Sequence, residues 1–84
     1  MAYHVYILKS LKDGSFYIGY SGNLNARIEA HNSGGTRYSK KKRPWALVYS
    51  EKFISKSDAI KRERFLKKQK NREFYIRLIN DSGK

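Results

Sequence analysis

Cysteine is absent from the chain, which excludes disulfides and thiolate metal sites outright. Two histidines, His4 and His31, are too few for a structural zinc site, which usually takes four Cys/His ligands. Acids are scarce as well: with seven Asp plus Glu, a site that needs a carboxylate has few to choose from. No apolar run approaches the ~20 residues that a membrane span requires, and the N-terminus carries no apolar signal segment. We therefore expect a soluble, cytoplasmic protein with no membrane partner. No Gly-rich P-loop, Ser-His-Asp order or paired-carboxylate motif is present either.

What the chain has is aromatic residues and positive charge. Seven Tyr, four Phe and one Trp among 84 residues suffice for one small core, so residues 1–84 read as a single domain. Nineteen Lys plus Arg give a net charge of +12. So dense a positive field attracts polyanions, and nucleic acid is the default partner. Charge alone does not separate a nucleic-acid enzyme from a non-catalytic binder, a ribosome-associated protein or a merely solvated basic surface.

Local patterns predict an α+β fold: a three-stranded antiparallel sheet flanked by helices, in the order β-β-α-β-α-α. Residues 3–9 and 15–20, rich in β-branched and aromatic side chains, read as two strands. Asp13-Gly14 between them reads as a two-residue type I′ turn. That register pairs Tyr17 with Ser10 and Gly19 with Leu8. It puts Tyr6, Tyr17 and Gly19 on one face and Lys9 on the other. Asn23 caps a helix over 24–33 whose stripe is Leu24, Arg27, Ile28 and His31, ended by Gly34-Gly35. Residues 36–43 read as a basic loop closed by Pro44, and residues 45–53 as the third strand. Ser55 and Asp58 start a helix with Ala59, Ile60, Glu63 and Leu66 on one face. Asn71 caps a last helix whose Phe74, Leu78 and Ile79 face inward, and 81–84 form a frayed tail.

Chemistry narrows to a few side chains. Asp13 and Asp58 belong to a turn and a cap, Asp81 to the tail, and Glu73 suits the first turn of its helix. Glu29 points away from its stripe and Glu51 sits near a strand end. Glu63 remains, on a core-facing arc, where a carboxylate needs a cation or hydrogen-bond donors. It reads either as a metal ligand or as half of a structural ion pair with an arginine. Arg27 and His31 share a helix face, and a guanidinium fork suits phosphate geometry. The segment Arg37, Tyr38, Lys40, Lys41, Lys42, Arg43 reads as a nucleic-acid surface, with Tyr38 able to stack on a base. Lys67, Lys68, Lys70 and Arg72 extend it.

His4-Val5-Tyr6 and, eleven residues on from Tyr6 to Tyr17, Tyr17-Ile18-Gly19 resemble the paired motif that names the GIY-YIG nucleases. Arg27, His31 and Glu63 fall at the family's spacings, and the resemblance runs from residue 3 to about residue 79. It looks closest to small stand-alone proteins related to the N-terminal nuclease domain of the excision-repair subunit UvrC. The resemblance implies a metal-dependent phosphodiesterase acting on nucleic acid, by analogy DNA and DNA repair. Tyr6 would be the general base or orient the attacking water, and Tyr17 would hold phosphate or water from the other side. Arg27 would stabilise phosphate charge, and His31 and Lys9 match further family positions. Glu63 would bind one Mg²⁺ or Mn²⁺, with no small-molecule cofactor, and Arg27 and the metal would lower the Tyr6 pKa. Position 4 is His where the motif has Gly. The stretch where larger members carry an Asn offers Phe74 and Tyr75. The same fold kept as a non-catalytic binding module, or as a subunit of a repair or ribosome-associated complex, is the alternative.

Overall fold

The structure, a computed structural model, describes residues 2–34 and 37–82, the side chains of Arg37, Tyr38 and Ser82 excepted. Gly35, Thr36, Gly83 and Lys84, which the sequence placed in a helix stop, a loop and a tail, lie outside the described residues. Strands β1 (Tyr3–Ser10), β2 (Phe16–Ser21) and β3 (Trp45–Phe53) form one antiparallel sheet in the order β2-β1-β3. Helix α1 (Leu24–Ser33) and the short α2 (Arg37–Lys41) precede β3, and α3 (Lys56–Gln69) and α4 (Arg72–Ser82) follow it. The α+β class expected from the sequence is the one observed.

β1 is central and covered on both faces, which is why Val5, Tyr6, Ile7 and Leu8 are all buried in succession. Alternation along it divides the interior in two. Val5 and Ile7 join Ile18, Ala59, Leu66 and Tyr75 beneath α3 and α4. Tyr6 and Leu8 join Trp45, with Tyr17, Leu24 and Ile28 packed against them on the α1 side. The β1–β3 register slips between Ile7 and Leu8, which pair with Tyr49 and Leu47 and leave Val48 as the extra residue of a bulge.

The helix starts are those the sequence signals. Asn23 Oδ1 accepts from Ala26 N, Ser55 Oγ from Asp58 N, and Asn71 Oδ1 from Glu73 N. On α4 the most buried residue is Tyr75, which the inward stripe of Phe74, Leu78 and Ile79 left out. Its hydroxyl donates to the Leu66 carbonyl at 2.6 Å, tying α4 to α3. Asp81, assigned to a frayed tail, belongs to the last turn of α4.

Two local expectations are corrected. The hairpin is not a two-residue type I′ turn. Only Gly14 has positive φ (+79°), and the pairing is Lys9↔Phe16, Leu8↔Tyr17 and Tyr6↔Gly19. The cause is Ser10. Its Oγ accepts from Lys12 N and Asp13 N and donates to the Lys42 carbonyl at 2.6 Å, which holds a longer loop closed. The register therefore shifts by two residues, not one, and every side chain keeps its face. The basic segment is likewise no irregular loop but carries the helical turn α2. Its Ser39 carbonyl accepts the Trp45 indole N–H at 2.8 Å, and its Lys41 carbonyl accepts from Lys12 Nζ.

One polar network fixes α3 on the sheet. Arg62 donates to both carboxylate oxygens of Glu51, from Nε at 3.0 and 3.1 Å and from Nη2 at 2.9 Å. Tyr49 donates its hydroxyl to the same carboxylate. Burial, and after it that bond to Glu51, push the Tyr49 phenol up to about 12.

Candidate active site

Tyr6 and Gly19 sit directly across from each other on β1 and β2. The Tyr6 ring folds over the glycine: a Cβ built there would lie 2.7 Å from the phenol oxygen and 2.9 Å from Cζ. No side chain fits, so Gly19 is required by close approach rather than by a turn. The Tyr6 hydroxyl is thereby delivered toward α1, where it meets His31 Nε2 at 3.3 Å. His31 is itself buried, with its ring edge-on to Tyr17 at 4.6 Å between centroids. Trp45 closes the far side, 6.0 Å from Tyr17. The buried Nδ1 of His31 has no hydrogen-bond partner among the described residues.

Burial dominates the electrostatics of this pair. The Tyr6 phenol is held well above its ordinary value of 10, first by desolvation, then by Tyr17 and Glu63; Arg27 acts in the opposite direction and loses. Arg27 does act to lower the Tyr6 pKa, as expected, but burial outweighs it and the net shift is upward. His31 is pushed below 6.5, by desolvation first and by Arg27 second. Near pH 7 the pair is a neutral phenol beside a neutral imidazole.

Around them opens a cleft of about 420 Å³. β1 and β2 supply Tyr6, Tyr17 and Gly19, α1 supplies Arg27, and α3 supplies Glu63 and Lys56. Arg27 stands exposed on one wall. Glu63 leaves the buried stripe of Ala59 and Leu66 and is 14% exposed. Its one ion-pair partner among the described residues is Lys67, with Nζ at 3.7 Å. The arginine clamp that the sequence allowed for Glu63 goes to Glu51 instead. No group of three or more His, Cys, Asp or Glu side chains gathers among the described residues, so Glu63 is the cleft's only carboxylate.

Other candidates are placed elsewhere. Lys9 lies on the far face of the sheet, lining a small apolar pocket with Phe16, Val48 and Ile76, so it does not join the tyrosines. Alternation along β1 requires this. Lys40 and Lys41 are exposed on α2. Lys42 is engaged within the fold, its Nζ 3.1 Å from Asp13 Oδ2 and 2.8 Å from Ser15 Oγ. Arg43 reaches the Asn32 carbonyl at 3.5 Å. The side chains of Arg37 and Tyr38 lie outside the described set. Arg72, offered as an extension of the basic surface, donates to the Gly14 carbonyl at 2.8 Å and stacks on Phe16. Lys56 is the charged cleft residue that the sequence reading missed. Its signal was present, since it stands seven residues before Glu63 and so on the same helix stripe.

Two motif tyrosines on a hairpin, an arginine from the next helix and a glutamate from the helix after β3 define a GIY-YIG-type catalytic domain. The description "GIY-YIG catalytic domain" matches residues 2–77, and the chain belongs to that nuclease family. Among its relatives are the UPF0213 proteins of Staphylococcus aureus strains Mu3 and N315. Each is 46% identical over 81 residues, spanning 95% of this chain and 96% of the relative. The solution NMR structure of the UPF0213 protein BH0048 from Bacillus halodurans is 37% identical, with a TM-score of 0.58, over 95% of this chain and 84% of that one. The chain is thus similar to small stand-alone GIY-YIG proteins along almost their whole length.

Proposed function

We propose that this protein hydrolyses phosphodiester bonds in nucleic acid, DNA in the first instance, with one divalent metal ion held at Glu63. The observation that carries the reading is convergence: Tyr6, Tyr17, Arg27 and Glu63, from four different elements, line one cleft. The net charge of +12 supplies the attraction for a polyanion.

The donor set suits Mg²⁺ or Mn²⁺ rather than zinc. A single carboxylate oxygen ligand makes a weak site, completed by waters and by the substrate phosphate. When bound, the ion supplies positive charge at a phosphate oxygen and at the leaving oxygen. The rest is done by the chain. Arg27 binds the phosphate and offsets charge developing on it. With His31 in the tautomer whose Nε2 is free to accept, Tyr6 directs its hydroxyl proton there, presents oxygen lone pairs to the cleft and holds the attacking water. As the water oxygen bonds to phosphorus, the bond from phosphorus to the leaving oxygen breaks; a water proton passes to the Tyr6 oxygen, the phenolic proton passes to His31, and the leaving oxygen takes a proton from solvent. Tyr6 thus never has to exist as a free phenolate, which its burial disfavours. Tyr17, edge-on to His31, keeps the imidazole in place and flanks the water from the second strand.

The test is cleavage of supercoiled plasmid, then of flap and branched substrates, with Mg²⁺ or Mn²⁺. Glu63→Gln should abolish metal-dependent cutting while leaving fold and nucleic-acid binding intact. Tyr6→Phe should reduce the rate by about 10²–10⁴-fold, the size of a lost general base. Wild-type cutting by Glu63→Gln removes the metal assignment. Binding without cutting by the wild-type protein on every substrate leaves the non-catalytic module as the function.

A further inference from the structure

Lys56 is a cation with no stated employment. It is the first residue of α3, exposed, and makes no hydrogen bond or ion pair among the described residues, yet it lines the same cleft as Tyr6 and Glu63. The topology says which end of the cleft it occupies. Tyr3 pairs with Phe53 at the end of β3, and α3 begins three residues later, so Lys56 enters beside Tyr3. Tyr3 in turn lies against Gly22, whose added Cβ would meet the Tyr3 ring at 3.6 Å. Glu63, by contrast, belongs to the Tyr6–Gly19 end.

Distance along the helix decides what Lys56 can contact. Seven residues at about 1.5 Å each separate Lys56 from Glu63 by roughly 10.5 Å of axis. The seven steps return to nearly the same azimuth, so the two side chains leave α3 on one stripe. A single phosphate bound by Arg27 beside Glu63 does not span that length, whereas a strand lying along the stripe brings a further phosphate to Lys56. We infer that the cleft continues past the scissile phosphate into a second phosphate subsite on the same strand, with Lys56 as its cation and Tyr3 as its wall. This rests on the proposed nuclease reading and deepens it. The ligand is a strand of at least two phosphates threaded along α3, not an isolated phosphomonoester.

Binding without cleavage tests it. A fluorescein-labelled single-stranded oligodeoxynucleotide is titrated with the full chain in EDTA, by anisotropy, across a salt series. Each phosphate contact on a single strand contributes about 0.7 to the slope of log affinity against log salt. Lys56→Ala should lower that slope by about one such contact and weaken binding several-fold. Lys56→Arg should restore the slope. Lys61→Ala, an exposed lysine on α3 outside the cleft, should leave it unchanged. A wild-type slope in Lys56→Ala, an equal loss in Lys61→Ala, or no binding by the wild-type protein overturns the subsite. Loss of slope in Lys56→Ala together with absent cutting on every substrate overturns only the nuclease reading.

Discussion

The phenol oxygen of Tyr6 occupies space that any side chain at position 19 would need: a Cβ there would lie 2.7 Å from it. Gly19 and Tyr6 are therefore one device, a missing side chain and the ring that fills its place. Gly19→Ala must either push the ring off the strand or bend β2, an overpacking cost of about 1–3 kcal/mol. The phenol loses its line to His31, and a misplacement of this kind reduces rate by about 10²-fold. Thermal melts and cleavage rates should both register the change. Gly34→Ala is the steric control, since nothing lies within 4 Å of a Cβ there.

Activity should rise with pH through an apparent value below 6.5. The acceptor for the Tyr6 proton is neutral His31, whose pKa is lowered by burial and then by Arg27. The groups facing it are Tyr6 on β1, Tyr17 on β2 and Arg27 on its own helix α1. The sign for stability follows the same shift. Because the unfolded chain takes up the proton more readily, the His31 contribution is intact above about 6.5 and is lost as pH falls through the folded value. A rate profile that is flat from pH 5 to 7.5 while the fold persists would remove His31 from the relay. NMR titration of the His31 ring checks the shift directly.

The sequence made the fold, and the gathering of Tyr6, Tyr17, Arg27 and Glu63 around one cleft, legible because both are written in short-range signals. Asn23, Ser55 and Asn71 start helices by bonding their own backbones. The i, i+4 spacing of Arg27 and His31, and the alternation along β1, place side chains on faces without knowledge of partners. What was hidden depends on residues far apart in the chain. The hairpin register turns on Ser10 bonding the Lys42 carbonyl, 32 residues away. The face assignment survived because the slip was even. Tyr6 was misjudged electrostatically, since cations nearby can be read from sequence but depth of burial cannot. Glu51 looked idle because its partner, Arg62, is eleven residues on and reaches it only once α3 folds back on β3.

That Glu51–Arg62 bond carries its own prediction. The pair is partly buried, with side chains 21% and 31% exposed, and is bidentate, so it exceeds an ordinary surface ion pair. Glu51→Gln should destabilise the fold by about 1–2 kcal/mol, the range of a hydrogen bond to a charged group reduced for solvent screening. The denaturation midpoint should move with unchanged m-value. Arg62 adjoins Glu63, so loosening α3 should also raise the metal concentration needed for cutting, which a metal titration reads.

The lysines of the basic segment should split into two kinds. Lys40 and Lys41 point to solvent, and their charges are available to a phosphate backbone. Lys42 is bound to Asp13 and Ser15, and the Asp13 carboxyl is held well below its usual range, first by the Ser15 hydrogen bonds and then by Lys42. Lys40→Ala and Lys41→Ala should each weaken nucleic-acid binding and lower its salt slope by about one contact while leaving the melting temperature unchanged. Lys42→Ala should do the reverse, lowering the melting temperature by loosening the hairpin loop against α2 while moving the salt slope less than either neighbour. Equal salt-slope losses at all three positions would mean that Lys42 leaves Asp13 when nucleic acid binds, and that α2 rearranges to meet it.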